Sequence, residues 1–236
     1  MKQLKNPSVS AVVFAIGGLA AMALRYWLLK AGLDDRGLLI SSHLGSVLSY
    51  VLCLGLPIAF LALLWKEKPA LQFSATPLSA VGFFALAAGL GFAGWKLLSV
   101  TVLTMHLATG IFGIAGALCA AVAGVYALKG YKTHPLFFSP GALFFACFLY
   151  CRYQQWSGEP ELQRYIFQLL SAVLSMIALY QRSALAVKIG SGKRYLLWSR
   201  SAVLMCLAAI PGSQLPLLWI AMAVFFALDG CEAADQ

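Results

Sequence analysis

Apolar runs of helical length alternate with short charged or proline-bearing connectors along the whole chain. The runs cover residues 8–29, 43–65, 77–95, 108–128, 135–151, 162–185, 194–210 and 215–228. Crossing the roughly 30 Å hydrocarbon layer takes about 20 apolar residues in a helix, so the pattern predicts an all-α, polytopic transmembrane helical bundle. About eight spans are expected, with seven as the alternative. The last run holds 14 residues and follows Pro211-Gly212-Ser213-Gln214-Leu215-Pro216, which ends one helix and starts another. Residues 1–236 are read as a single integral membrane domain. The first run follows a basic start (Lys2, Lys5) and contains Ala21-Met22-Ala23, which imitates a cleavable signal. Its apolar character continues to Leu29, which predicts a retained helix. Pro57 predicts a kink in the second run, and residues 96–107, punctuated by Lys96 and His106, either extend a neighbouring helix or lie at the interface.

The sixth run is read as the most polar of the apolar spans. Ser157 is a candidate N-cap, Pro160 fits a first turn, and Glu159 and Glu161 place negative charge at the positive end of the helix dipole. From there, steps of three and four residues put Glu161, Arg164, Gln168, Ser171, Ser175, Ala178 and Arg182 on one stripe, with apolar residues on the other faces. An unpaired amide or hydroxyl is costly in hydrocarbon, so the stripe faces other helices or a wet cavity. It reads either as a packing seam or as the lining of a binding site or pathway, the seam being the commoner use of Ser and Gln. The fourth run carries two small-residue ridges, Gly113/Ala117/Ala121 and Gly116/Ala120/Gly124, and the third offers Ala87, Gly89, Gly91 and Gly94. Such ridges let backbones approach, which predicts tight packing of the third and fourth spans, with a dimer interface as the alternative.

Composition agrees: 61% of residues are hydrophobic and 11% charged, with a mean hydropathy of +0.85, whereas soluble domains carry about 25% charged residues. The net charge of +9 does not indicate nucleic acid, because the basic residues are scattered at span ends and form no dense patch. With the N-terminus inside, eleven Lys and Arg (2, 5, 66, 68, 129, 132, 182, 188, 193, 194, 200) fall on the cytoplasmic side and six (25, 30, 36, 96, 152, 164) outside. That asymmetry predicts a multi-pass protein of the cytoplasmic membrane with a cytoplasmic N-terminus and contacts to the lipid bilayer.

Catalytic constellations are not legible. None of the eight acidic residues is expected mid-span, Asp229 being assigned to the C-terminal tail, and His43, His106 and His134 fall at span ends or in loops. No metal site, cofactor or enzymatic activity is expected. The six cysteines lack C-x-x-C spacing, and Cys147 and Cys151, which share a helix face, have no further ligand nearby. Gly190-Ser191-Gly192-Lys193-Arg194 resembles a phosphate loop only superficially and reads as a flexible basic loop. The best binding candidate is the cluster Arg152, Tyr153, Trp156 and Arg164, where two guanidiniums beside aromatic faces suit a phosphate or carboxylate. The plainer reading is an aromatic belt with both arginines paired to Glu159 and Glu161.

The stretch RYQQWSGEPELQRYIFQLLSAVLSMIALYQRSA, together with LRYWLLKAGLDDRGLL, resembles a group of uncharacterised bacterial multi-pass integral membrane proteins of similar length. The resemblance implies the membrane topology and transfers no catalytic residue. The reading from sequence is therefore a small-molecule or lipid-handling protein or transport component, with Gln168, Ser171, Ser175 and Arg182 added to the candidate binding residues. The alternative is a structural or regulatory protein acting through helix–helix contacts with a membrane-protein partner.

Overall fold

The computed structural model describes residues 7–32, 44–64, 71–73, 76–99, 104–156, 162–229 and 231–233. Among the described residues eight α-helices occupy the places the hydrophobic pattern predicts: α1 (Pro7–Ala31), α2 (Leu44–Leu64), α3 (Pro77–Ser99), α4 (Thr104–Leu128), α5 (Ser139–Trp156), α6 (Leu162–Ala186), α7 (Gly192–Ala209) and α8 (Pro216–Leu228). A 3₁₀ turn, Pro135–Phe138, leads into α5, so the fifth span is continuous in the chain but changes helix type. Of residues 96–107, α3 takes those up to Ser99 and α4 those from Thr104, while 100–103 lie outside the described residues. Strands β1 (Leu71–Phe73) and β2 (Cys231–Ala233) pair antiparallel, tying the segment after α8 to the one before α3.

Helix starts follow from local chemistry. Pro7, Pro77 and Pro216 each open a helix, where the missing N–H is one of the unbonded donors in any case. Thr76 and Ser79 cap α3 reciprocally, each hydroxyl accepting the other's backbone N–H at 3.2 Å. At α8, Ser213 Oγ accepts from Leu215 N at 3.0 Å and from Trp219 Nε1 at 2.8 Å. The predicted cap at Ser157 lies outside the described residues. The basic loop at 188–191 is a tight closure, since Ile189 and Gly190 both donate to Ala184 O (3.0 and 3.1 Å) and Lys188 adopts φ 61°. Of the expected loop Gly190–Arg194, the residues from Gly192 belong to α7.

Successive helices run antiparallel. Six are long and apolar enough to cross a membrane: α1 to α4, α6, and α5 taken with its 3₁₀ lead-in. The chain is a multi-pass membrane protein on that count. Adjacent pairs α1–α2, α5–α6, α4–α5 and α3–α4, together with the stacked rings of Tyr50 and Phe167 joining α2 to α6, arrange these helices around the remaining two. The α7–α8 pair fills the middle: α7 packs on α1, α2 and α6, and α8 packs on α3 and α1. From Ser199 to Cys206 every residue of α7 is buried, so the helix is enclosed on all sides. With 13 residues, α8 is only about 20 Å long. The tightest crossing is α3 on α4, as expected from the glycines: a Cβ on Gly113 would lie 2.8 Å from Gly94 Cα.

We call the end of the bundle where α1 begins and α8 finishes the near end, and the end where α1 finishes and α2 begins the far end.

Candidate functional site

The described part of the α6 stripe, from Gln168 to Arg182, points inward. Gln168, Ser171, Ser175 and Arg182 are all buried, and each meets a different group. Gln168 donates to Gly212 O at 3.2 Å, Ser171 returns its hydroxyl to Gln168 O in its own helix at 3.0 Å, and Ser175 Oγ lies 3.5 Å from Cys206 Sγ of α7. Arg182 approaches Asp229 twice, Nε at 3.0 Å from Oδ2 and Nη2 at 3.3 Å from Oδ1. The stripe is thus the face α6 presents to α7 and to the residues that flank α8 at either end.

The cluster of Arg152, Tyr153, Trp156 and Arg164 divides. Arg152 is buried on α5, its guanidinium 5.1 Å from the Phe148 ring and its Nη1 donating to Gln155 Oε1 (2.9 Å) and Gln214 Oε1 (3.2 Å). Tyr153 points the other way and is 70% exposed. Trp156 ends α5 and Arg164 lies in the first turn of α6, but their side chains, like Glu159 and Glu161, lie outside the described residues. Around Arg152 the structure collects residues that the sequence left scattered. Lys96 of α3 donates to Gln214 O at 2.8 Å, and Gln155 Nε2 lies 3.2 Å from His106 Nε2 of α4. The turn between α7 and α8 is therefore gripped by Lys96 from α3, Arg152 from α5 and Gln168 from α6. Gly212 and Gln214 of that turn remain exposed at the far end.

A second far-end feature is a recess between α1, α2 and α6, lined by Arg25, Leu28, Leu29, Ser46, Ser49, Tyr50 and Phe167. Arg25 is 3% exposed, with its guanidinium carbon 4.3 Å above the centroid of Phe167. The other side of the Phe167 neighbourhood is Tyr50, stacked at 5.6 Å. Sequence reasoning placed Arg25 in an interfacial group with Tyr26 and Trp27. A signal for its burial existed: Ala11, Phe14, Gly18, Ala21, Arg25 and Leu28 step by three and four residues, so Arg25 sits on the one stripe of small and apolar groups that α1 turns inward.

At the near end, Asp229 corrects a further expectation. It follows the last residue of α8, and the short helix leaves it inside the bundle, 6% exposed, instead of in a solvated tail. Besides Arg182, it accepts a hydrogen bond from the Tyr195 hydroxyl of α7. The buried Arg200 of α7 donates to Phe226 O, satisfying one of the carbonyls that the end of α8 leaves open. An acidic group is thus present within the bundle, paired and hydrogen-bonded as a buried charge must be. Among the described residues no three His, Cys, Asp or Glu side chains converge as a metal site would require. Comparison with protein-family profiles, with curated proteins and with solved structures finds no match for the chain.

Proposed function

We propose that this membrane protein handles a small molecule or a lipid, as a binding protein or transport component that does no chemistry on its ligand. The observation carrying the proposal is the interrupted α7–α8 pair. Its turn lies at the far end, is gripped by polar side chains from three surrounding helices, and leaves Gly212 and Gln214 exposed. Helices that break off within a bundle expose dipole ends and backbone groups, which is how many membrane proteins build a site. The rival reading, a structural protein working through its small-residue ridges, is weakened by where those ridges point. Gly113 and Gly94 already face each other within the chain, and Gly116 faces Leu90 and Gly141. The expected setting is the cytoplasmic membrane with the N-terminus inside, supported by the eleven-to-six distribution of Lys and Arg.

The test is a thermal-shift survey of small metabolites and lipids on the purified protein in nanodiscs. A ligand at the turn stabilises the native protein by linkage, and that gain disappears in Gln168→Leu and Gln214→Ala while both variants remain folded. If no compound stabilises the protein, or the stabilisation survives both substitutions, the turn is not the site.

A further inference from the structure

We infer that His106 is a proton-binding site that regulates the α7–α8 turn: a neutral imidazole lets the turn be held, and a proton on it loosens the hold. The inference rests on the reading of that turn as the working site and names what controls it.

The tautomer of His106 follows from its neighbours. A guanidinium only donates, so the atom of Gln155 that meets Arg152 Nη1 at 2.9 Å is the carbonyl oxygen Oε1. The amide nitrogen of Gln155 is thereby turned to His106 Nε2, at 3.2 Å, and an amide nitrogen also only donates. His106 Nε2 is therefore the acceptor, and the one ring hydrogen sits on Nδ1. That nitrogen is buried and has no hydrogen-bond partner among the described residues. A histidine kept for packing has its buried polar atoms satisfied. His106 is 8% exposed and keeps one ring nitrogen stranded, which sets it apart from packing.

Protonation reverses the arrangement. The proton enters at Nε2, the ring nitrogen with the lone pair, and Nε2 becomes a donor. Gln155 must then turn its oxygen to the ring, which brings its amide N–H group against Arg152 Nη1, donor to donor. The guanidinium has to move. The same Nη1 donates to Gln214 Oε1 in the turn at 3.2 Å, so it cannot leave Gln155 without disturbing Gln214. Lys96 and Gln168 keep their bonds to Gln214 O and Gly212 O, so the turn loosens while the bundle stays closed.

The surrounding charges act in the same direction. The titratable groups about this network are Lys96 of α3, Cys151 and Arg152 of α5, and Tyr165 of α6 beside Arg152. Cys151 is the donor to Thr109 Oγ1, whose own hydrogen goes to Met105 O at 2.7 Å. Among the described residues the one acidic side chain inside the bundle, Asp229, lies at the near end. A proton on His106 therefore makes a third cation beside Lys96 and Arg152, with no described carboxylate to balance it. The hold is present with the ring neutral and is lost as pH falls. Gln155 is exposed, one residue from the end of α5, which gives far-side water a route to the ring.

The experiment is hydrogen–deuterium exchange of the full chain in nanodiscs, read at the Ser213 and Leu215 amides, which bond to Ile210 O and Ser213 Oγ within the turn. Each rate is divided by the intrinsic rate at its pH. Histidine changes charge between about pH 8 and pH 5, and over that range protection in the native protein should fall about tenfold, the loss of one hydrogen bond to a charged group. His106→Gln takes up no proton and should be equally protected at both ends of the range. The near-end His134→Gln should keep the response. Should His106→Gln fail to fold, a chain carrying His43→Gln and His134→Gln leaves His106 as its one histidine for nitrogen-15 NMR. Its ring hydrogen should sit on Nδ1 at the alkaline end, and both nitrogens should carry hydrogen at the acid end. Equal protection at both ends in the native protein overturns the inference. So does a response that survives in His106→Gln, or a ring hydrogen on Nε2 at the alkaline end. Neither measurement uses a ligand, so a flat pH response beside a ligand gain that needs Gln168 and Gln214 discards the proton site alone.

Discussion

Helices α2 and α7 have similar lengths, 21 and 18 residues, and opposite relations to their surroundings. Of the six long helices α2 is the most apolar and the least buried, with only six residues turned inward. In contrast, α7 carries Lys193, Arg194, Arg200, Ser199 and Ser201 and buries twelve of its eighteen residues. In water this ordering would be reversed. In hydrocarbon the apolar helix is already solvated, and no hydrophobic force draws it inward. The helix with the buried charge is the one that cannot face lipid, because the Arg200 guanidinium needs an acceptor and finds it in the Phe226 carbonyl of another helix. The core of this bundle is therefore its most polar helix, and its lipid-facing wall is its greasiest.

The sharpest way to break that comparison is to remove the partner of a buried charge beside α7. Asp229→Ala leaves Arg182 without its carboxylate and Tyr195 without its acceptor. Breaking one half of a buried ion pair costs about 3–5 kcal/mol, which for a chain of this size lowers Tm by about 10 °C. The companion double variant, Asp229→Ala with Arg182→Met, should recover most of the loss, since it removes the stranded charge as well. Thermal unfolding in detergent reads both. If Asp229→Ala unfolds no earlier than the native protein, the near-end cluster is not holding α8 to α6 and α7.

A smaller effect compares one chemical change at two places. Ala202→Leu adds three carbons at a fully buried position of α7, where overpacking costs about 1–3 kcal/mol and lowers Tm by about 5 °C. Ala62→Leu makes the same addition at an exposed position of α2, where the new atoms meet lipid and Tm should not move. Equal losses at both positions would mean that α2 faces a partner and not the bilayer.

These contrasts also mark what the sequence could and could not disclose. Helix ends were legible to within a few residues, α7 being expected over 194–210 and observed at Gly192–Ala209, because charged connectors and prolines punctuate an otherwise apolar chain. The inward face of α6 was legible because Gln168, Ser171, Ser175 and Arg182 keep a strict three/four spacing. The centrality of α7 was not, since hydropathy measures affinity for lipid and is silent on enclosure by other helices. The partners of Arg182 and Arg152 were not legible either: Asp229 lies 47 residues from Arg182, and Gln214 lies 62 from Arg152. No local pattern encodes such pairings. Arg25 is the intermediate case, set on a visible inward stripe yet masked by its aromatic neighbours Tyr26 and Trp27.

The smallest predicted effect tests how polar α7's surroundings must be. Among the described residues Ser175 Oγ meets the weak sulfur acceptor or donor of Cys206, at 3.5 Å. Interhelical hydrogen bonds in bilayers average about 0.6 kcal/mol, and a hydroxyl–thiol contact should fall below that, so Ser175→Ala should shift Tm by no more than about 2 °C. Gln168→Leu should cost more, because Gly212 O then loses its donor in the turn that joins α7 to α8. If Ser175→Ala proved as damaging as Gln168→Leu, the hydroxyl would be holding something other than Cys206, and the middle of the α6 stripe would have to be read as the lining of a site. A negligible loss leaves the middle of the stripe as packing and confines the working polar groups to the two ends of the bundle, where α8 begins and where it stops short.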